Sequence, residues 1–412
     1  MILLSVALHS LLSRKKTVIL TFFSLTISIV VLLSIEHIRL QAKESFNRTI
    51  SGVDLIVGAP SGQLNLLLYS VFRMGSPANN INYTSFTMLE NRQLVDWAIP
   101  ISLGDSHRGF RVVGTNNSYF THYLYGKKEP LKFKQGSEFS SLFEVVIGSD
   151  VAKKLNYNLG DKIIIAHGIG NISFTKHEQA PFAISGILAP TGTPVDKSVH
   201  VSLGAIEAIH LSPIALKKLI NNPETIPAVP KSITAIMLKL KSKFSTFRLQ
   251  REINNYPTDR LMAVLPGVAM TELWSLMATV ENLLRAIAVL VLISSLFGLS
   301  TMLLASMNER QTEIAVLRVL GAGPVTLLLL ILLEAVILVS LAIIMSTLVL
   351  TLALFSLDAW LAAEFGLFLS NNIFTMELMR LISIIFIATL VVSLFPGIEA
   401  YKHALHSQLS KN

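Results

Sequence analysis

Apolar residues in this chain gather into a few long runs instead of recurring at the intervals of a globular core. Four runs are long enough to cross a bilayer, which takes about 20 mainly apolar residues at 1.5 Å rise each. They cover residues 17–35, 286–307, 325–355 and 381–395. The first two carry no charge, and the third carries one acid, Glu334; its length predicts tilt or projection beyond the hydrocarbon. Between the first two runs lie 250 residues, Glu36 to Arg285, whose pattern is mixed. The pattern predicts one span, a large extramembrane α/β segment and then three spans.

No helix breaker separates the first run from residues 36–46, so that helix is expected to continue out of the membrane. The approach to the second run does the same: Leu273, Leu276, Met277, Val280, Leu283 and Leu284 fall on one helical face. Two such helices make a paired stalk, which transmits displacement as a flexible Gly/Ser linker does not. Between the stalks, strands are expected at 53–57, 110–113, 144–147, 162–166, 182–188 and 235–240 and a helix at 149–155. A turn at 58–62 leads into a helix whose stripe is Leu64, Leu67, Leu68, Val71 and Phe72, and 221–230, with three prolines, reads as an extended connection.

Composition agrees with a membrane protein: 52% of residues are hydrophobic and 15% charged, against about 25% charged in soluble domains. The chain has no cysteine, which excludes disulfides, thiolate metal sites and cysteine nucleophiles. Orientation follows from Lys and Arg in the short flanks. Arg14, Lys15 and Lys16 precede span one, Arg310 and Arg318 lie between spans two and three, and Lys402 and Lys411 follow span four. The 356–376 loop has Asp358 and Glu364 and no Lys or Arg. Both termini are therefore expected in the cytoplasm and residues 36–285 outside. The first run is expected to stay as an anchor, since no small-x-small cleavage site follows it. The outer segment holds 26 Lys/Arg and 19 Asp/Glu, so +7 of the net charge of +8 is external. A basic face there suits anionic headgroups, cell-wall polymer or an acidic partner, and nucleic acid is not expected.

Residues 1–16 are assigned to a cytoplasmic N-terminal helix, 17–40 to the first span and the start of the stalk, and 41–270 to the outer α/β domain. Residues 271–307 form stalk and second span, 308–323 a cytoplasmic helix, 324–355 the third span, 356–376 an outer loop, 377–397 the fourth span and 398–412 a cytoplasmic tail.

Enzyme chemistry finds little support. The turn at 58–62 lacks the spacing of a phosphate cradle, and Gly126-Lys127-Lys128 lacks both the upstream glycine and the following hydroxyl of a Walker A loop. Glu207/His210 and His403/His406 are pairs without a third ligand, and no G-x-S-x-G elbow occurs. Neither a metal nor a cofactor is expected in the chain. Glu334 lies about 15 Å along its helix from Pro324, deep in the membrane. With no second acid in the spans it is read as a polar contact between helices, with Ser294, Ser295, Ser300 and Thr301 as partners. Ser24/Ser28 and Ser294/Gly298 are spaced for close helix approach and form a candidate dimer seam.

The most specific segment joins spans two and three. It contains Asn308, Glu309, Arg310, Glu313, Ile314, Leu317, Arg318, Leu320, Gly321 and Ala322, and it reads as a short amphipathic helix capped by Gly321 before Pro324 opens the next span. Here the sequence closely resembles the FtsX-like, MacB-type (type VII) ABC permease family, whose hallmark is N-E-R-x-x-E-I-x-x-L-R-x-L-G-A. The run Gly148-Ser149-Asp150-Val151-Ala152-Lys153-Lys154-Leu155 with Leu159-Gly160-Asp161 resembles that family's periplasmic core domain, and so does the ending Phe395-Pro396-Gly397 with Glu399-Ala400-Tyr401 resemble the family's. The resemblance covers nearly the whole chain. It implies a four-helix membrane protein in a one-plus-three arrangement, with a mixed α/β MacB-like periplasmic domain on helical stalks.

The resemblance further implies a non-catalytic permease in the bacterial inner membrane. It would work as a homodimer with a separate ABC ATPase that binds ATP and Mg, since no ATPase domain is fused within these residues. Asn308, Glu309, Arg310, Glu313, Ile314, Leu317, Arg318 and Gly321 would then couple the ATPase to the spans. The expected task is mechanotransmission for export or efflux of an envelope substrate, with a periplasmic adaptor or lipoprotein and membrane lipid as further partners. A lipoprotein-releasing permease and a non-transporting regulator of a cell-wall hydrolase are the alternatives. The stretch from Asp54 to Ile81 also resembles a permease subgroup whose apolar helix stripe either meets a lipidic substrate or is core.

Overall fold

In the computed structural model the described residues are 2–167, 180–221, 230–309, 316, 319, 321–365 and 375–409. The chain divides into two compact units: residues 1–42, 278–360 and 369–412 form one, and 43–277 with 361–368 the other.

The first unit is helical. Its elements are α1 (Ile2–Ser13) and α2 (Lys15–Thr49), then, after the α/β segment, long helices at Pro266–Glu309, Pro324–Phe365 and Met376–Leu409. Four of these five, all but α1, are long and apolar enough to cross a membrane. Each buries one stripe at helical spacing: Leu25, Ile29, Leu32 and Leu33 on α2; Ala288, Leu292, Leu296 and Leu299 on the second long helix; Ala335, Leu338 and Ala342 on the third. The exposed positions are equally apolar, as at Leu20, Phe23 and Ile27, which suits a hydrocarbon solvent. The N-terminal helix is part of this bundle, since it buries Ala7, Ser10 and Leu11.

The third long helix runs on to Phe365, whereas a span ending at 355 and a loop over 356–376 were expected. The acid at 358 suggested a loop, but residues 356–365 contain no glycine or proline, and Gly366 is the first breaker. The fourth likewise continues to Leu409 through Pro396.

The second unit is a mixed α/β domain. In chain order its strands are β1 (Leu55–Gly58), β2 (Ile81–Asn82), β3 (Val95–His107), β4 (Phe110–Thr115), β5 (Leu124–Tyr125), β6 (Glu129–Pro130), β7 (Phe133–Gly136) and β8 (Glu144–Ile147). There follow β9 (Lys162–Ile163), β10 (Ala166–His167), β11 (Phe182–Leu188), β12 (Ser198–Ser202), β13 (Ser232–Ile233), β14 (Ala235–Leu240) and β15 (Met262–Val264). Its helices are α3 (Gln63–Ser70), α4 (Tyr83–Glu90), α5 (Ser118–His122), α6 (Ser149–Leu155), α7 (Leu203–Ile209), α8 (Pro213–Asn221) and α9 (Thr246–Asn254), so the long helices become α10, α11 and α12.

The main sheet has the order β15-β1-β14-β3-β4-β12-β8-β11-β7, with β10 added to β3 and β9 to β11. Strand β3 joins its two halves: Val95–Ile101 pairs with β14, and Ser102–His107 with β4 across a register shift between Leu103 and Ser106. The sequence pattern misses this strand because Pro100 sits inside it. Proline donates no ladder bond, while the Pro100 carbonyl accepts the Thr115 hydroxyl at 2.8 Å. The expected strand at 162–166 is two short ones, β9 and β10. The stripe on α3 is core, with Leu67, Val71 and Phe72 buried beside Ile56, Met237 and Val264. Most of the expected extended connection at 221–230 lies outside the described residues.

Candidate functional site

In the helical unit several buried polar groups join one helix to another. Glu334 on α11 is 2% exposed and accepts a hydrogen bond from the Ser10 hydroxyl of α1. Arg14, between α1 and α2, reaches the same carboxylate at 3.4 Å and Ser10 Oγ at 3.0 Å. The expected partners on span two are therefore corrected. Ser294 and Thr301 are exposed, with the Thr301 hydroxyl bonded to the Gly298 carbonyl, and Ser295 is engaged elsewhere. Glu334 was expected deep in the membrane, yet it meets two residues that precede the first span; neither its level nor the rotation of its helix, which together select the partner, is legible in the sequence. Arg14 carried a signal, but its charge served only to orient the spans.

Ser28 and Ser24 of α2 meet Ser295 of α10 at 2.5 and 3.2 Å. Ser28 thus joins helices within one chain, whereas Ser294 and Gly298 face away from the bundle. At the other end of the bundle, Glu36 of α2 binds Arg285 of α10 at 3.1 Å and Arg39 at 2.5 Å, and Arg39 approaches Glu281 at 3.9 Å. Each such pair is worth about 0.2–1 kcal/mol where water reaches it, and the two that cross between the helices, Glu36–Arg285 and Arg39–Glu281, help hold α2 to α10.

The connector after α10 is described in part. Asn308 is helical and Glu309 exposed; Gly321 has φ +98°, a conformation that favours glycine, and Pro324 begins α11. Val316 and Val319, three residues apart, are 58% and 88% exposed. Arg310, Glu313, Ile314, Leu317 and Arg318 lie outside the described residues.

The α/β unit carries an open groove of about 470 Å³. Its lining is uncharged, with Thr115, Asn116, Asn117, Ser140, Ser202 and Tyr83 among it, and Asn116 Oδ1 is buried without a hydrogen-bond partner. Beside the groove, the backbone N–H groups of Ser140 and Ser141 bind the Glu144 carboxylate and hold it below the usual carboxylate range. Among the described residues no cluster of three or more metal-ligating side chains occurs.

Comparison with known proteins identifies this architecture. Residues 18–256 match the MacB-like periplasmic core domain, and residues 285–409 match the FtsX-like permease C-terminal family. The chain belongs to the FtsX-like, MacB-type ABC permease family. No curated protein matches it. Among solved structures it is similar to the crystal structure of the periplasmic region of MacB from Actinobacillus actinomycetemcomitans, at 14% identity and a TM-score of 0.34, over 57% of this chain and 95% of that one. The permease is thus a membrane protein with a periplasmic domain, in a family of ABC transporter permease subunits that work with an ATPase and form dimers.

Inside the permease's periplasmic domain, His200 of β12 is fully buried against Tyr119 and Phe120, at ring distances of 5.0 and 5.9 Å. Both its ring nitrogens lack hydrogen-bond partners. Burial, and then the charge of Arg73, push its pKa down to about 3. An unfolded histidine titrates near 6.5. Below that pH the unfolded chain takes up a proton that the folded one refuses, so stability falls by about 1.4 kcal/mol per pH unit until about pH 3 and is fully present above pH 6.5. His200→Phe, which keeps the ring contacts, is expected to remove this slope. Acid unfolding of the two proteins followed side by side checks it; parallel curves would refute the assignment.

Proposed function

We propose that this permease couples ATP hydrolysis by a separate cytoplasmic ATPase, which binds ATP and Mg, to conformational work on an envelope substrate in the periplasm. One observation carries the reading: the connector between α10 and α11 displays Glu309, Val316 and Val319 to solvent between two membrane helices. An exposed apolar pair beside charged residues suits docking on another protein, and the resemblance of the 308–322 motif to the family's supports the ATPase as that partner. Lys and Arg in the flanks of the spans support a cytoplasmic connector and cytoplasmic termini.

Transmission to the periplasm is supported by helix continuity. α2 extends over Lys15–Thr49 and α10 over Pro266–Glu309, each well beyond the length of a span. A push on the connector then moves α10 as a rod. Export or efflux, with the inner membrane as location, is the direction this arrangement serves.

The test is the double variant Glu309→Ala/Arg310→Ala in permease reconstituted with its copurifying ATPase. Permease-dependent ATP turnover is expected to fall roughly tenfold, the scale of an ordinary coupling free energy, with complex mass unchanged. Wild-type turnover in the variant would overturn the proposal.

A further inference from the structure

The turn after α3 gathers positive charge that the described residues do not neutralise. Arg73 sits in it at φ +59°, a left-handed conformation that costs a residue with a Cβ about 1–2 kcal/mol. Its guanidinium donates to the Ser70 carbonyl, and Arg111 of β4 donates to the Gly75 carbonyl of the same turn. Both arginines are partly buried. Burial, and then the charge of Arg73, lower the Arg111 pKa from its ordinary value, so the two cations lie within each other's field. An arginine keeps its proton in a protein, and the pair therefore cannot relieve its repulsion by titrating.

No carboxylate among the described residues forms an ion pair with either arginine. Asp196, whose charge reaches Tyr119 as that of Arg73 does, is engaged elsewhere: it accepts the N–H groups of Thr191 and Gly192 and the Thr191 hydroxyl. The groups behind Arg73 point the same way. Its charge reaches Tyr119, Tyr123 and His200, all fully buried. The Tyr123 hydroxyl donates to the Thr49 carbonyl, whereas the Tyr119 hydroxyl has no hydrogen-bond partner. Guanidinium groups only donate and the phenol has a proton to donate, so what this place lacks is an acceptor that carries negative charge.

We infer that Arg73 and Arg111 form a binding site for a phosphate group, presented by a lipid headgroup or as free phosphate. A phosphate monoester carries about −1.5 to −2 at neutral pH, close to the charge of two guanidiniums, and offers three strong acceptor oxygens. The planar forks of arginine match its geometry, and each such charge-assisted bond is about twice as strong as a neutral one. The site lies within the periplasmic domain and depends neither on ATPase coupling nor on a second permease copy.

Isothermal titration of the full-length permease in neutral detergent, at an ionic strength held constant with chloride, reads the site. The probes are inorganic phosphate and dihexanoyl phosphatidic acid, a soluble lipid whose headgroup is a phosphate monoester. Arg73→Gln and Arg111→Gln are each expected to weaken binding roughly tenfold, the loss of a charge-assisted bond. Arg260→Gln, at an exposed arginine elsewhere in the domain, should leave it unchanged. Where a Gln variant no longer melts cooperatively, Arg73→Lys or Arg111→Lys keeps the charge but not the fork, and about threefold weakening is expected. Lipid binding at least as tight as that of phosphate assigns the site to a headgroup, and tighter binding of phosphate assigns it to the free ion; each upholds it. No saturable binding of either probe by the wild-type protein would overturn the inference, as would wild-type affinity in the paired-arginine variants or an equal loss in Arg260→Gln.

Discussion

Replacing Gly148 with alanine is expected to unfold the periplasmic domain or lower its stability by roughly 3 kcal/mol or more, the upper end of the range for overpacking. A Cβ at this position would stand 2.3 Å from the Asp196 carbonyl oxygen and 2.4 Å from that of Val195. Both are backbone atoms, so no side chain can swing away. The turn that presents them cannot retreat either. The Asp196 carboxylate accepts the N–H groups of Thr191 and Gly192 at 2.9 and 2.8 Å, and Gly148 itself donates to the Ser198 carbonyl at 3.0 Å. The Gly-Ser-Asp run is therefore a packing requirement between the end of β8 and the 3-10 turn Pro194–Lys197. Thermal unfolding of the purified permease, with limited proteolysis of the domain, measures the effect. Gly267→Ala, a helical position where a Cβ meets nothing within 4 Å, serves as the control and should not lower the midpoint. A Gly148→Ala protein that melts with the control would refute the argument.

Breaking the ion pair between Arg14 and Glu334 should cost nearly as much, and unequally from its two sides. Removing one partner of a buried pair typically costs about 3–5 kcal/mol, because the other charge is left without compensation. Arg14→Leu takes the neighbouring guanidinium from a carboxylate that is 2% exposed and leaves it the Ser10 hydroxyl as a donor, whereas Glu334→Leu takes the carboxylate from a guanidinium that is 11% exposed on a long stem. The arginine variant should therefore be the less stable. The double variant, which removes both charges, should recover most of the loss. Melting midpoints of the four proteins in one detergent form the cycle. Additive single effects would show that the two groups do not interact, and a milder loss in Arg14→Leu would reverse the assignment of which charge is trapped.

The four spans were legible because a bilayer demands continuous apolar length, a property of sequence alone. Several elements of the α/β domain were equally plain: β8, β11, β14 and α6 fall at the residues expected of them, each a compact run whose pattern and flanking breakers agree. The longest strand, β3, was not, since Pro100 and Gly104 both argue against a strand locally; it persists because β14 and β4 occupy its two halves. β12 was missed for a related reason. Its alternation of Ser, Val and His suggests one wet face, yet Ser198, Val199, His200 and Val201 are all buried, on both faces of the sheet, and the His200 ring nitrogens are left without partners.

Of the candidate sites, the connector at 308–323 was readable as a motif, because its residues are consecutive. The sites built from distant residues were not. Sequence by itself determined that four helices enter a membrane, that an α/β domain sits between the first and second, and to which family the chain belongs. Only the tertiary structure decided that Glu334 turns to Ser10 and Arg14, that Ser28 is taken by Ser295 while Ser294 faces outward, and that Gly148 touches the backbone of Val195 and Asp196. The physical reason is common to all three: periodicity specifies which residues share a face, whereas the rotation of one helix or strand against another specifies what that face meets.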